Sequence, residues 1–369
     1  MNDVGIGIVG YGMMGRAHAY GYTVAPRIRD LAVTPRLRAI SGRDAGAVER
    51  AAWRYGVEEW TTDWRALVER PDVDIVDVCT PPGTHAEIVE AAVAAGKAVL
   101  CEKPLTADYA SARHAADAAR AAGVPNAIGF NYRRLPALSL LAQMVEDGAV
   151  GDVLLWRSDW LSDEFLDPQI PFDWRFEKRL GASTIADLGA HLIDLALWIV
   201  GEIDEVSAHS ETFTRERSGR EVDVDEASAS LVRFAGGARG TFEFTRVCAR
   251  RPCDFFVEVN GTRGTLRFEY PRLNELWFGD AADDARLYGM RRIRAEHPDH
   301  PYAADWWPIG QGVGYGASFA NQAADLLERW PDGPWEPDLE QGARVQAVCE
   351  AMERAAAEHR WVRVDEVAA

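Results

Sequence analysis

The sequence predicts an α/β protein in two parts: an N-terminal doubly wound parallel sheet, then a C-terminal α+β domain on a mainly antiparallel open sheet. Three observations point there. Across the first ~125 residues, short apolar runs alternate with alanine-rich stretches of helical period. The first apolar run leads directly into a glycine-rich turn and a helix. After Phe130 the texture changes to successive short strands separated by tight turns.

Val4–Val9 is a continuous apolar run, as a strand buried on both faces requires. A helix follows over about Met14–Ala25, then a second strand, Arg38–Ser41. Ala45–Tyr55 reads as a helix stopped by Gly56. Ile75–Thr80 is a strand ending at Pro81-Pro82, and His85–Ala95 is a helix stopped by Gly96. The strands Ala98–Cys101 and Ala127–Phe130 flank a helix, Ala107–Ala122, that Gly123 terminates. This alternation makes βαβ units and a parallel sheet. Beyond it, Asn131–Asp147 reads as one helix, Val153–Trp160 as an alternating strand and Leu188–Val200 as a strongly apolar helix. Strand-like runs follow at Val206–Ser210, Glu226–Phe234, Arg239–Phe244, Phe255–Val259 and Thr265–Glu269. Ala235-Gly236-Gly237-Ala238 and Asn260-Gly261 read as hairpin turns. Residues 275–315, rich in Asp, Pro, Gly and Trp, read as a long ordered loop. Helices over Gly316–Arg329 and Asp338–Glu358 close the chain. With no internal repeat or low-complexity linker, the boundary is placed at residue 130, giving parts 1–130 and 131–369.

The 369 residues and 47% hydrophobic content suit two cores better than one. A net charge of −18 argues against nucleic acid, which needs a basic surface, and against anionic membranes. It does not repel a neutral small molecule. Cys79, Cys101, Cys248, Cys253 and Cys349 are odd in number and form no C-x-x-C pair, so neither a disulfide framework nor a zinc site is expected. A reducing, cytoplasmic setting follows. The opening MNDVGIGIVGYG reads as a strand, not a signal peptide, and no apolar run approaches the length of a membrane span.

Gly10-Tyr11-Gly12-Met13-Met14-Gly15 matches G-x-G-x-x-G between a strand and a helix, the context of the dinucleotide-binding (Rossmann) fingerprint. Gly10 permits the tight turn, Gly12 lets the backbone approach a pyrophosphate, and Gly15 lets helix and strand pack closely. The helix start then faces the phosphates with its positive end. An ordinary turn is the competing reading, and the agreement of strand, helix and position weighs against it. The second strand ends Ser41-Gly42-Arg43-Asp44. An acidic residue there would bind the ribose of NAD, whereas Ser41 and Arg43 would hold the 2′-phosphate of NADP. Asp44 is either that ribose ligand or the cap of the next helix. The Ser41–Arg43 pair leans towards NADP, and NAD stays open.

Three further segments are Thr80-Pro81-Pro82-Gly83-Thr84-His85, Cys101-Glu102-Lys103-Pro104-Leu105 and Asp187-Leu188-Gly189-Ala190-His191. In this order behind the glycine motif, the whole chain resembles the glucose–fructose oxidoreductase / inositol dehydrogenase family (Gfo/Idh/MocA). Asn131-Tyr132-Arg133-Arg134, Trp174-Arg175-Phe176-Glu177-Lys178 and Trp307-Pro308-Ile309-Gly310 look closest to its levoglucosan dehydrogenase branch. The resemblance implies NAD(P)-dependent oxidation of a secondary hydroxyl on a sugar, anhydrosugar or cyclic polyol, at C3 for that branch. It also implies a homodimer or homotetramer assembled through the open sheet. Two rivals stand beside it: an NAD-dependent glycosidase working by transient oxidation, and a non-catalytic cofactor-binding regulator.

Lys103 lies just past the strand ending at Cys101, at the carboxyl edge where parallel sheets bind ligands. A lysine beside a cationic nicotinamide loses basicity and suits general-base work. The resemblance assigns it that role; a surface lysine is the bland alternative. Asp187 and His191 are four apart, on one helical face. A carboxylate can orient an imidazole, and the imidazole can relay a hydroxyl proton. The resemblance implies that His191 works with Lys103 as acid/base and that Asp187 positions the sugar. Asp194 extends that face, so spacing alone admits a metal cluster, but the resemblance gives it no support. Thr80, Pro81, His85 and Glu102 are expected around the cofactor, with His85 equally readable as a plain helix-start residue. Tyr132 and Arg133 open the second part and are candidates to face the substrate, an ion pair being the rival reading for Arg133. Trp160, Trp174 and Arg175 are candidates for a sugar platform, although with 13 Trp most must be core.

Overall fold

The computed structural model describes residues 2–367. They form two compact units. The first runs to Arg134 and takes in Gly314–Arg344, which follow the second unit in sequence. Its strands are β1 (Asn2–Val9), β2 (Val33–Ser41), β3 (Glu59–Thr61), β4 (Ile75–Val78), β5 (Ala98–Cys101) and β6 (Asn126–Ile128). They alternate with α1 (Met13–Ile28), α2 (Ala45–Tyr55), α3 (Trp64–Val68), α4 (His85–Ala94) and α5 (Tyr109–Ala122). The strands lie in the order β3-β2-β1-β4-β5-β6, all parallel. The order reverses between β1 and β4, the switch point at which such sheets bind ligands.

Alternation along β1 sends Val4, Ile6 and Ile8 to one face. They pack with Ala19 and Tyr22 of α1, Val48 of α2, and Leu327 of the returning helix Gly316–Glu328. Gly56 and Gly123 end α2 and α5 in the left-handed region, where glycine carries no steric penalty. Asp44 is the N-cap of α2, its carboxylate accepting the Ala47 N–H at 2.7 Å. β2 starts earlier than expected, at Val33, and tolerates Pro35 because β3 flanks it only over Ala39–Ser41. β3 and α3 were not foreseen. They are three and five residues long, too short to show a period.

The second unit comprises Leu135–Val313 and the chain from Val345 onward. The single helix expected over Asn131–Asp147 is a 3₁₀ turn, Asn131–Arg134, followed by α6 (Pro136–Glu146). Pro136 drives Leu135 out of helical conformation, to φ −79° and ψ 127°. The strands are β7 (Val153–Leu161), β8 (Ile203–Glu211), the small pair β9 (Glu216–Arg217) and β10 (Arg220–Glu221), β11 (Ala227–Phe234), β12 (Arg239–Thr245), β13 (Asp254–Gly261), β14 (Gly264–Glu269), β15 (Glu275–Asp280), β16 (Arg291–Arg294) and β17 (Val362–Arg363). A nine-stranded sheet orders them β16-β15-β14-β13-β7-β12-β11-β8-β17, antiparallel except where β7 meets β12. β15 and β16 lie inside the expected loop; Leu276 and Phe278 are its inward-facing apolar pair. The glycine hairpin turn falls where expected, with Gly237 at φ +94°. The Asn260-Gly261 turn does not. Asn260 still pairs with Thr265, so the chain reverses at Thr262-Arg263.

The apolar helix begins earlier than Leu188. It opens into a π turn at Ile185–Gly189 and continues as α7 (Ala190–Ile199). The stretch Lys178–Ile199 does have the length and hydropathy of a membrane span, contrary to the expectation, and 83% of its apolar window is buried. A helix so covered has its apolar partners already.

Candidate functional site

In the first unit, the glycine loop is shaped by close approaches. Gly10 has φ +112°, and a methyl there would stand 2.5 Å from the Cys79 carbonyl oxygen. A methyl at Gly15 would stand 2.1 Å from the Gly10 carbonyl oxygen. Gly12 differs: no atom lies within 4 Å of the methyl position. It is the N-cap of α1 without a capping side chain, and the first turn, opening with Met13 and Met14, has no acidic residue. The space beside Gly12 is thus open at the positive end of a 16-residue helix, whose first N–H groups have no partner within the helix. A dinucleotide pyrophosphate fits this arrangement.

Tyr11 closes the tip of β2. A methyl on Gly42 would fall 2.0 Å from the Tyr11 ring, and the Tyr55 hydroxyl donates to the Tyr11 carbonyl at 2.9 Å. Ser41 is 1% exposed, so its hydroxyl does not reach a 2′-phosphate. Strand alternation turns it into the core, which corrects the expectation for that residue. Arg43 is exposed.

Thr80 and Pro81 follow β4 and are half-buried. His85 is fully buried, with ring nitrogens 2.7 Å from the Thr80 carbonyl oxygen and 3.0 Å from that of Pro104. Burial pushes its pKa down, and the hydrogen bonds to the two carbonyls oppose this. His85 ties the Thr80 loop to the Lys103–Pro104 loop instead of lining a cofactor space. Glu102 also faces inward. Its Oε2 accepts the Lys103 N–H at 3.1 Å, and its Oε1 stands 2.9 Å from Nε2 of His18. Both residues thus correct the expectation of cofactor ligands. Lys103 itself is half-buried just beyond β5, at the carboxyl edge. Tyr132 packs on Tyr315 at 5.8 Å and is buried, while Arg133 is half-buried. Both belong to the first unit.

In the second unit, His191 opens α7 and is 7% exposed. Its ring stacks on Trp160 of β7 at 5.6 Å and 25°. Trp160 stacks in turn on Phe255, and Phe255 on Tyr270, each at 4.7 Å. Buried in this column, Trp160 backs the imidazole and has no ring face to offer a sugar.

Asp187 lies in the π turn, and its carboxylate is bound by the Arg246 guanidinium. Arg246 sits just past β12, buried, with its guanidinium 4.5 Å from the Phe165 ring centre and 3.6 Å from Glu164. Burial pulls its pKa down to about 10, the Arg175 charge acting the same way and Glu164 opposing. Arg175 lies over Trp174 at 4.7 Å and donates to Asp173 at 3.1 Å. Arg246, which binds Asp187, is a residue that no sequence signal marked. Asp194 is buried further along α7, at 1% exposure.

The strand order of the first unit and its open glycine loop define a dinucleotide-binding Rossmann protein. Residues 4–130 match the family model "Oxidoreductase family, NAD-binding Rossmann fold", and residues 139–267 match "GFO/IDH/MocA C-terminal domain". The chain belongs to the Gfo/Idh/MocA family of NAD-binding oxidoreductases. It is 34% identical to levoglucosan dehydrogenase of Pseudarthrobacter phenanthrenivorans, covering 100% of both chains. Among solved structures it resembles an oxidoreductase domain protein from Kribbella flavida, at 43% identity and TM-score 0.96, covering 99% of this chain and 100% of that one. It also resembles levoglucosan dehydrogenase in complex with NADH and levoglucosan, at 35% identity and TM-score 0.96, covering 98% and 100%.

Proposed function

We propose that the protein is an NAD(H)-dependent dehydrogenase that oxidises a secondary hydroxyl of a sugar or anhydrosugar, at the carbon equivalent to C3 of a pyranose. The observation that carries this reading is Lys103 at the carboxyl edge of a dinucleotide sheet, in a chain similar over its full length to a dehydrogenase of that substrate class. The α1 start and Gly12 hold the pyrophosphate, and Thr80 and Pro81 lie towards the nicotinamide. When bound, the cofactor supplies the hydride acceptor. Lys103 takes the proton from the hydroxyl oxygen as general base. His191, steadied by Trp160, is the second acid/base group. Asp187, held by Arg246, accepts a hydrogen bond from a neighbouring sugar hydroxyl, and Arg175 with Trp174 contacts the ring.

NAD(H) is preferred over NADP(H) in this reading because Ser41 is buried, leaving Arg43 alone of the expected pair open to a 2′-phosphate. The solved levoglucosan dehydrogenase structures that the chain resembles include complexes with NADH. The open face of the nine-stranded sheet, with Leu155 and Leu231 exposed on it, supports self-association, which light scattering measures.

The deciding experiment follows absorbance at 340 nm with levoglucosan, pyranoses and inositols, each with NAD and NADP. NADH formation on a sugar or anhydrosugar is expected, and Lys103→Ala should lower kcat by about 10²–10⁴ while still binding NADH. Full turnover by Lys103→Ala removes the base assignment. A preference for NADP above tenfold restores the Arg43 argument.

A further inference from the structure

Beneath the glycine loop and Lys103 lies a buried charge cluster that the proposed chemistry does not use. His18 stands on α1, Asp77 in β4, Cys79 just past β4 and Glu102 just past β5. All four side chains are buried. Nδ1 of His18 is 2.8 and 2.9 Å from the two Asp77 oxygens, and Nε2 is 2.9 Å from Oε1 of Glu102. The Cys79 thiol donates to Asp77 at 3.3 Å, and Oε2 of Glu102 accepts the Lys103 N–H at 3.1 Å.

Carboxylates only accept, so a ring with a carboxylate oxygen at each nitrogen must donate from both. That is an imidazolium. Burial works against the charge, but Asp77, with a further contribution from Cys79, outweighs it, and the His18 pKa is raised well above its ordinary value. Of the other neighbours, burial, with Asp77 and Glu102, holds the Cys79, Cys101 and Tyr22 groups protonated, and Phe319 presents its ring 5.5 Å away. The ligand atoms of His18, Asp77 and Cys79 lie within 4.8 Å of one another, as in a metal site. Two hydrogen-bonded ring nitrogens and a protonated thiol suit a trapped proton better.

We infer that His18 is a positioning residue for Lys103: as an imidazolium it fixes Glu102 in the orientation whose second oxygen holds the Lys103 backbone, and it ties α1 to the strand end bearing the base. The inference rests on Lys103 being the general base. It makes the glycine helix and the catalytic loop one connected polar unit, spanning 84 residues of sequence from His18 to Glu102.

His18→Gln can serve at most one carboxylate as a donor and carries no charge. Its kcat should fall about tenfold or more, with the KM for NAD changed less than about threefold. With the cation gone, the local field turns more negative, the lysine holds its proton more tightly, and the rising limb of the kcat–pH profile moves up by about half to one pH unit. Glu102→Gln should reproduce the kcat loss. A readout independent of turnover is ¹⁵N NMR of histidine-labelled apoprotein, with the signal of His18 among the eight histidines identified by its absence in His18→Gln. Both ring nitrogens should remain protonated at pH 8. A neutral ring at pH 8, or wild-type kcat and pH profile in His18→Gln and Glu102→Gln, overturns the inference. Unimpaired turnover in Lys103→Ala sinks the base assignment alone, since the NMR result does not depend on it.

Discussion

Alanine at Gly12 and alanine at Gly15 should separate cofactor binding from folding. At Gly15 the new methyl would lie 2.1 Å from the Gly10 oxygen and 3.1 Å from its carbon. Ordinary contact is about 3.5 Å, so α1 must retreat by roughly 1.4 Å. Gly10 does not yield, because its φ is +112° and its N–H is bound to the Ser41 carbonyl at 3.0 Å. Overpacking of this kind costs about 1–3 kcal/mol, against up to ~1 kcal/mol gained by alanine in a helix. A net loss of about 1–2 kcal/mol remains. At Gly12 no atom is within 4 Å, and φ −70°, ψ −160° suits alanine. A poorer N-cap and a stiffer unfolded chain roughly cancel, leaving stability within about 1 kcal/mol. That methyl nevertheless occupies the space before the helix start. One lost charge-assisted hydrogen bond to phosphate, at about 1.5–3 kcal/mol, raises the Kd for NADH about 10–100-fold.

The assay pairs NADH fluorescence titration with thermal unfolding of the cofactor-free protein. Gly12→Ala should keep its Tm and lose affinity; Gly15→Ala should lose both. Wild-type NADH affinity in Gly12→Ala would refute the placement of the pyrophosphate at the α1 start. An equal fall in Tm for the two variants would refute the packing argument.

Three other outcomes follow from the second unit. Arg246→Met strips Asp187 of its cation; breaking a buried pair costs about 3–5 kcal/mol, less here because the Asp187 side chain is 28% exposed. Steady-state kinetics should show KM for the sugar rising more than kcat falls, with Arg246→Lys intermediate, and an unchanged KM would free Asp187 from that role. Trp160→Leu removes the ring behind His191, a contact worth about 0.5–1.5 kcal/mol, and should lower kcat more than Trp160→Phe does; equal kcat in the two would show that stacking does not matter. Burial and the Glu353 charge raise the buried Asp225 carboxyl to about 7. The folded state therefore binds the proton that the unfolded state releases, and stability falls as pH rises from the ordinary carboxylate range through about 7. Asp225→Asn should raise Tm at pH 8, by at most about 4 kcal/mol of stability, and leave it nearly unchanged at pH 4. A Tm gain of equal size at both pH values would contradict the sign.

What could be read from the sequence was what contiguous residues decide. The glycine loop is a strand, a turn and a helix within 15 residues, and Lys103 follows a four-residue buried strand. Both were legible because spacing and period carry the information. Two short strands inside an Asp- and Gly-rich segment were not, since β15 and β16 show alternation over only six and four residues.

Side-chain direction was the harder question, and it decided the errors. Ser41 and Glu102 each lie at a strand end where one residue decides between the ligand edge and the core, and each turns inward. Local sequence gives no reason to expect this. The reason is supplied from afar: Glu102 turns in because His18, 84 residues away, offers it a charged donor, and His18 is charged because Asp77, 59 residues from it, takes the other nitrogen. Asp187, which spacing placed on one face with His191, is likewise bound by Arg246, 59 residues on. A carboxylate's role follows the cation that topology delivers to it. In a doubly wound sheet, the delivery point is the switch between β1 and β4, where α1 starts and β4 and its neighbour β5 end. Polar residues one or two positions off the motifs on those three elements are therefore the ones whose roles the fold, and not the motif, assigns.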